Sequence, residues 1–258
     1  MPDPWEKEFQ EQALYASGRA DAEARAVAGD ADEPWLNVIN THEPGAFPSI
    51  HRLLADPDLR PRITGTVIDV AAGTCILSAE LSRLPEVTQV YALDLSEEFL
   101  TGTGARMLAR TNAVEEKLTF IASDFNDIPL PAASVDAAFI FAAIHHSLSP
   151  IKTLQEVGRI LKPGGTLFIL ENPASVISIQ QRRRESLALS TETTEIVYTL
   201  DEFKYMIANA NIGPCDVRVW DVLSRPGPRR WVRTIARRLG VEHILLPPPT
   251  YLFVITRA

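Results

Sequence analysis

Residues 67–83, Val-Ile-Asp-Val-Ala-Ala-Gly-Thr-Cys-Ile-Leu-Ser-Ala-Glu-Leu-Ser-Arg, decide how the chain is read. Val67, Ile68 and Val70 make a short apolar run around Asp69. Residues 71–75 are all small. Ile76, Leu77, Ala79, Leu81 and Leu84 then recur at helical spacing. The pattern predicts a strand, a tight turn and a helix. Such a turn lets a ligand approach the backbone closely. It also puts that ligand at a helix N-terminus, where unbonded N–H groups favour an anion. A nucleotide-like cofactor is therefore expected here.

Outward from this stretch, strands and helices alternate. Strand 66–70 leads to helix 75–84, and strand 88–93 ends at Asp94. Ser96 caps a helix running to about residue 110, with Glu97 and Glu98 in its first turn, where the helix dipole favours acids. Strand 117–122 precedes Asp124, and strand 135–142 follows. Helix 150–161 stops at Lys162-Pro163-Gly164-Gly165, and strand 166–171 comes next. Short apolar strands separated by helices imply a parallel sheet covered on both faces. The last third holds helical stretches at 175–190 and 200–210, strand 216–222, a basic helix at 229–239 and a final strand at 251–256. Before the sheet, residues 4–28 read as helix, 29–49 as a loop carrying Trp35 and Phe47, and 49–55 as a short helix. The expected division is an N-terminal helical cap over residues 1–60, bearing on the substrate, and a main domain over 61–258 with a basic insertion at about 223–249.

With 258 residues, 46% of them hydrophobic and 22% charged, the chain has the composition of a soluble globular protein. It has no apolar run long enough to span a bilayer, and no secretory leader pattern at Met1-Pro2-Asp3-Pro4. Two cysteines, Cys75 and Cys215, make no disulfide framework, and a cytoplasmic location is expected. Neither lies in a metal-ligand cluster, so no metal site is expected. The net charge of −8 argues against nucleic acid as a partner. Residues 176–258 nevertheless carry 12 bases against 8 acids, a net +4.

Ligands of an open parallel sheet bind at the C-terminal strand ends. Those ends hold Asp69 with the 71–75 turn, Asp94, Asp124, the 142–146 segment and Glu171. A carboxylate at Asp94 can accept both ribose hydroxyls. One at Asp124 can take the exocyclic amine of adenine, with Phe125 packing nearby. Three acids at three successive strand ends favour an adenosine site over three unrelated turn residues.

These residues resemble the class I S-adenosylmethionine-dependent methyltransferases, of the small-molecule type that includes the ubiquinone and menaquinone methyltransferases. The resemblance covers residues 64–173 and, more weakly, 200–222. It is carried by residues 67–75, Ala-Leu-Asp-Leu-Ser at 92–96, Ser-Asp-Phe at 123–125, Ile-Pro-Leu-Pro-Ala-Ala-Ser-Val-Asp at 128–136, Ile-His-His at 144–146 and Arg-Ile-Leu-Lys-Pro-Gly-Gly-Thr-Leu at 159–167. The Leu-Lys-Pro-Gly-Gly run counts most. The likeness implies a Rossmann-like, doubly wound α/β fold, with a seven-stranded sheet that is mostly parallel and has an antiparallel last strand. It implies S-adenosyl-L-methionine as cofactor and S-adenosyl-L-homocysteine as product. Asp69, Ala71 and Gly73 would hold the methionine part, Asp94 and Leu95 the ribose side, and Asp124 and Phe125 the adenine. The chain departs from the family by having Ala71 and Cys75 where glycines are usual. Weakened binding is expected, and Cys75 could be a low-pKa thiol or a merely tolerated small residue.

Methyl transfer needs alignment above all, and a general base where the acceptor carries a proton. His145, His146 and Glu171 are the candidate bases. The Asn/Asp-Pro-Pro-aromatic run of nucleic-acid amino-methyltransferases is absent after the fourth strand. A small-molecule acceptor remains, methylated on oxygen or nitrogen in preference to carbon. Arg182, Arg183, Arg184, Arg225, Arg229, Arg230, Arg233, Arg237 and Arg238 suit an anionic acceptor. The alternative is a protein of this fold that binds the cofactor without methyl transfer, or uses it for another reaction. A nicotinamide oxidoreductase shares the strand-turn-helix but has no role for Lys162-Pro163-Gly164-Gly165. The oligomeric state is not legible.

Overall fold

A computed structural model describes residues 46–174, 179, 196–220 and 250–258. The expected helices at 4–28 and 229–239, most of that at 175–190, and the basic insertion lie outside these residues.

Seven strands form one sheet: β1 (Gly65–Val70), β2 (Val87–Asp94), β3 (Leu118–Ala122), β4 (Val135–Phe141), β5 (Leu161–Glu171), β6 (Cys215–Val219) and β7 (Tyr251–Thr256). Their order is β3-β2-β1-β4-β5-β7-β6. The pairs β1–β2, β1–β4, β2–β3 and β4–β5 are parallel. Strand β7 is antiparallel to both β5 and β6. This is the doubly wound sheet with an antiparallel last strand that the resemblance implies. The chain winds outward from β1 to β3 on one side and from β4 to β5 on the other. A crevice therefore opens above the C-terminal ends of β1 and β4.

The helices covering the sheet are α1 (Ala46–Ala55), α2 (Ile76–Ser82), α4 (Pro150–Ile160), α5 (Leu200–Ala210) and, between α2 and α4, a composite α3. Period-two alternation sends successive strand residues to opposite faces. Ile68, Ala138, Ile140, Leu167, Ile169 and Phe253 pack with Leu154, Val157, Phe203 and Met206. Val67, Ala137, Phe139, Phe168, Leu252 and Val254 pack with Ile50, Leu53, Leu77 and Leu81 on the other side. Phe139 and Phe168 stack across β4 and β5 with ring centroids 5.1 Å apart. Thr199 and Glu202 form a capping box at the head of α5.

Two local expectations differ from what is observed. The helix predicted from Ser96 to 110 is α3, which runs as Glu97–Phe99, a π-turn at Leu100–Gly104 and Ala105–Arg110. Ser96 caps it as predicted, accepting the Phe99 N–H at 3.1 Å. The π-turn lies against Cys75, and a β-carbon on Gly104 would stand 2.8 Å from the Cys75 sulfur.

The second difference is that β5 starts at Leu161 rather than residue 166. Leu161 pairs with Val135 and Thr166 with Ala137, so Lys162-Pro163-Gly164-Gly165 bulges from the strand. Lys162 Nζ lies 2.8 Å from both Asp136 carboxylate oxygens, and Asp136 Oδ2 also accepts the Thr66 N–H at 2.9 Å. A β-carbon on Gly165 would stand 2.9 Å from two carbonyl oxygens, and Gly164 has φ +78°. The most telling family signature therefore ties β1, β4 and β5 together at the end of the sheet opposite the crevice.

Candidate active site

The turn after β1 is built from alternating left-handed residues: Ala71 (φ 59°), Gly73 (φ 51°) and Cys75 (φ 59°). That conformation strains any residue with a β-carbon. The need explains the family's glycines, and alanine and cysteine are accommodated here despite it. Cys75 turns its side chain inward, fully buried, into the notch left by Gly104. Burial, with Asp69 and Asp94 nearby, pushes its thiol well above the usual range. That direction opposes a low-pKa thiol and favours Cys75 as a packing residue.

Three of the turn's amides are already engaged. The Ala72 N–H donates to the Leu93 carbonyl, the Gly73 N–H to Asp94 Oδ2 at 2.9 Å, and the Cys75 N–H to the Ala72 carbonyl. Asp69 is 3% exposed, and its carboxylate accepts both the hydroxyl and the N–H of Ser78 in α2. The anion expected at this helix start is thus the protein's own Asp69. Over Gly73 there is room: an added β-carbon would meet nothing nearer than a Phe99 ring carbon at 3.9 Å.

Burial raises the Asp69 carboxyl from 3.8 to about 6, against two Ser78 hydrogen bonds and with a small contribution from Asp94. A carboxyl whose folded pKa is raised gives stability below its unfolded pKa and loses it as pH rises through the folded one. Stability measured by urea unfolding should therefore fall, relative to Asp69→Asn, by about 3 kcal/mol on crossing from below 3.8 to above 6. Parallel pH profiles for the two proteins would refute this.

Asp94 ends β2. Its Oδ2 holds Gly73 and its Oδ1 accepts the Ser96 N–H at 3.2 Å. Burial raises its carboxyl above the ordinary value, with the Gly73, Ser96 and Leu95 amides opposing. Leu95 is half-buried beside it. Asp124 and Phe125 follow β3, both half-buried, with Phe125 packed against the core that includes Ile68, Ala138 and Ile140.

After β4, Ala142 takes φ 50° and the chain enters a short 3-10 turn, Ile144–His146. Glu171 at the end of β5 is 4% exposed. Its Oε1 accepts the Ile144 N–H at 2.9 Å, and its Oε2 lies 3.0 Å from His145 Nδ1. The His146 ring is 4.2 Å from that of His145, centroid to centroid. The His145 carbonyl accepts the Ile196 N–H at 2.9 Å. The fold thus joins His145 to Glu171, which the sequence offered as separate candidates.

The resulting cleft has Asp69, Asp94 and Asp124 at three neighbouring strand ends and Glu171 beyond β4. Its charge suits a cation and opposes the pyrophosphate of a dinucleotide. The methyltransferase-domain family matches residues 68–169, from within β1 to within β5. Over this stretch the chain is similar to methyltransferase domains. The domain is 31% identical over 150 residues to an uncharacterized chloroplastic methyltransferase of Arabidopsis thaliana, covering 55% of this chain and 42% of the relative. It is 32% identical over 120 residues to a ubiquinone/menaquinone biosynthesis C-methyltransferase of Syntrophotalea carbinolica, covering 46% of this chain and 49% of the relative. The chain thus spans under half the length of these relatives. DhpI in complex with SAH shares the fold at TM-score 0.61 and 18% identity, covering 97% of this chain and 96% of that one.

Sequence reasoning missed three polar residues beside the methyltransferase cleft, namely Asn126, Ser147 and Thr153. Asp124-Phe125-Asn126 carried a usable signal, because Asx residues two apart favour a side-chain-closed turn. Among the described residues, no group of three or more His, Cys, Asp or Glu is gathered as a metal set, and no helix is long and apolar enough to cross a membrane.

Proposed function

We propose that this protein transfers the methyl group of S-adenosylmethionine to a small-molecule acceptor in the crevice above β1 and β4. The observation carrying the proposal is the acidic cleft around a turn whose Gly73 amide is held by Asp94, beside an open face at Gly73. Bound S-adenosylmethionine supplies an electrophilic methyl group on a cationic sulfur. Asp69, Ala71 and Gly73 line the methionine part, and Asp94 accepts from the ribose hydroxyls with Leu95 alongside. Asp124 accepts from the adenine amine, with Phe125 against the base.

The catalytic group in this reading is His145. A carboxylate only accepts, so Glu171 fixes the proton of His145 on Nδ1 and leaves the basic lone pair on Nε2. Glu171 is the positioning residue, since it also holds the Ile144 N–H and so the whole turn. His146 packs against the His145 ring. A base suits an acceptor that must shed a proton. A phenolic hydroxyl does so, and so does an activated ring carbon of the kind implied by the C-methyltransferase relative. That relative adds carbon to the oxygen and nitrogen favoured by the sequence.

The test uses methyl-labelled S-adenosylmethionine with a panel of phenols, quinols and amines, some carrying carboxylate or phosphate. Label is expected on a hydroxyl or ring-carbon acceptor. For that acceptor, His145→Asn should lower kcat by about 100-fold, with S-adenosylhomocysteine affinity unchanged. Full turnover in His145→Asn would place the base elsewhere. Cofactor binding with no acceptor labelled would favour the alternative in which methyl transfer is lost.

A further inference from the structure

A run of hydrogen bonds leaves Asp124 and crosses to the turn that carries His145. Asp124 Oδ1 accepts both the backbone N–H of Asn126, at 2.8 Å, and its side-chain amide, at 3.0 Å. Asn126 Oδ1 accepts the Thr153 hydroxyl at 2.8 Å. Thr153 Oγ1 lies 2.7 Å from the Ser147 hydroxyl, and Ser147 directly follows His146. Thr153 and Ser147 are 1% and 0% exposed, so water does not compete for these groups.

Chemistry fixes the direction of every bond. The Asp124 carboxylate can only accept, so the Asn126 amide must present its NH2 to it. Asn126 Oδ1 then faces Thr153, Thr153 must donate, and Ser147 must donate to Thr153. The orientation of Asn126 is therefore set from both ends, by an anion and by a buried hydroxyl pair. With Oδ1 committed, the Asp124 carboxylate is held from that side.

We infer that Asn126, held by Thr153 and Ser147, aims Asp124 at the 6-amino group of the adenine and so sets selectivity for the base. The inference rests on the proposed placement of adenine at Asp124. It makes Asn126, Thr153 and Ser147 positioning residues. They act through Asp124 and touch no part of the ligand.

The readout is a ratio of affinities: S-adenosylhomocysteine against its analogue lacking the 6-amino group, both titrated by calorimetry. A hydrogen bond to a charged group sets the wild-type ratio at about tenfold or more. Asn126→Ala should bring it to about threefold or less. Thr153→Val should move it the same way, and Thr153→Ser, which keeps the hydroxyl, should hold it near wild type. A merely structural role would weaken both ligands equally and leave the ratio intact. That result in folded Asn126→Ala or Thr153→Val overturns the inference. A wild-type ratio near one, with S-adenosylhomocysteine still bound, overturns the placement of adenine at Asp124 and the inference with it.

Discussion

Asp94→Ala is expected to weaken S-adenosylhomocysteine binding by about 100-fold or more while the chain remains folded. Two effects add. A carboxylate accepting two ribose hydroxyls makes charge-assisted bonds, each worth about 1.5–3 kcal/mol. The same carboxylate also ties Gly73 to the start of α3 through the Gly73 and Ser96 amides. Without it, the left-handed turn loses a brace just where the ligand must lie against the backbone. Asp94→Asn should do little better, because both carboxylate oxygens face N–H donors and an amide would point its own NH2 at one of them. The fold survives because burial already holds the Asp94 carboxyl above its ordinary range, so removing it also removes a desolvation penalty. Calorimetric titration alongside circular dichroism separates the two effects. Near-wild-type affinity in folded Asp94→Ala would remove the ribose from this position.

Gly65→Ala is expected to destabilise the described fold strongly. Gly65 has φ +65°, which strains a side chain by about 1–2 kcal/mol. The added carbon would also stand 2.4 Å from Asp136 Oδ2. Moving that carboxylate breaks its bond to the Thr66 N–H and its pairing with Lys162. Strain and lost bonds together amount to about 3–5 kcal/mol, a large part of a domain's net stability. Urea unfolding should show the midpoint falling sharply or expression failing. A stability change below about 1 kcal/mol would mean that the Asp136 junction yields without cost.

The two variants probe opposite ends of the sheet, and the sequence is legible to different depths at each. The strands were readable because period-two alternation and short apolar runs fix which face each residue takes. The acids were readable because Asp69, Asp94 and Asp124 each close a strand. The pairing of His145 with Glu171 was not. It joins residues 26 apart, and it depends on the β4–β5 register that sets Phe141 opposite Leu170. The relay through Asn126 was hidden for the same reason, since Thr153 reaches it from α4. Lys162-Pro163-Gly164-Gly165 teaches the converse. As a signature it marks the family, yet physically it is a bulge pinned to Asp136, remote from the crevice. Ala71 and Cys75 are a third case. Their size was readable, but their left-handed backbone and the Cys75–Gly104 fit arise only once α3 packs over the turn.

Titration of the wild-type chain with S-adenosylhomocysteine tests the central claim most directly. Saturable binding of one ligand per chain is expected, abolished or strongly weakened in Asp94→Ala. Absence of measurable heat and of any thermal stabilisation in folded wild-type protein would contradict it.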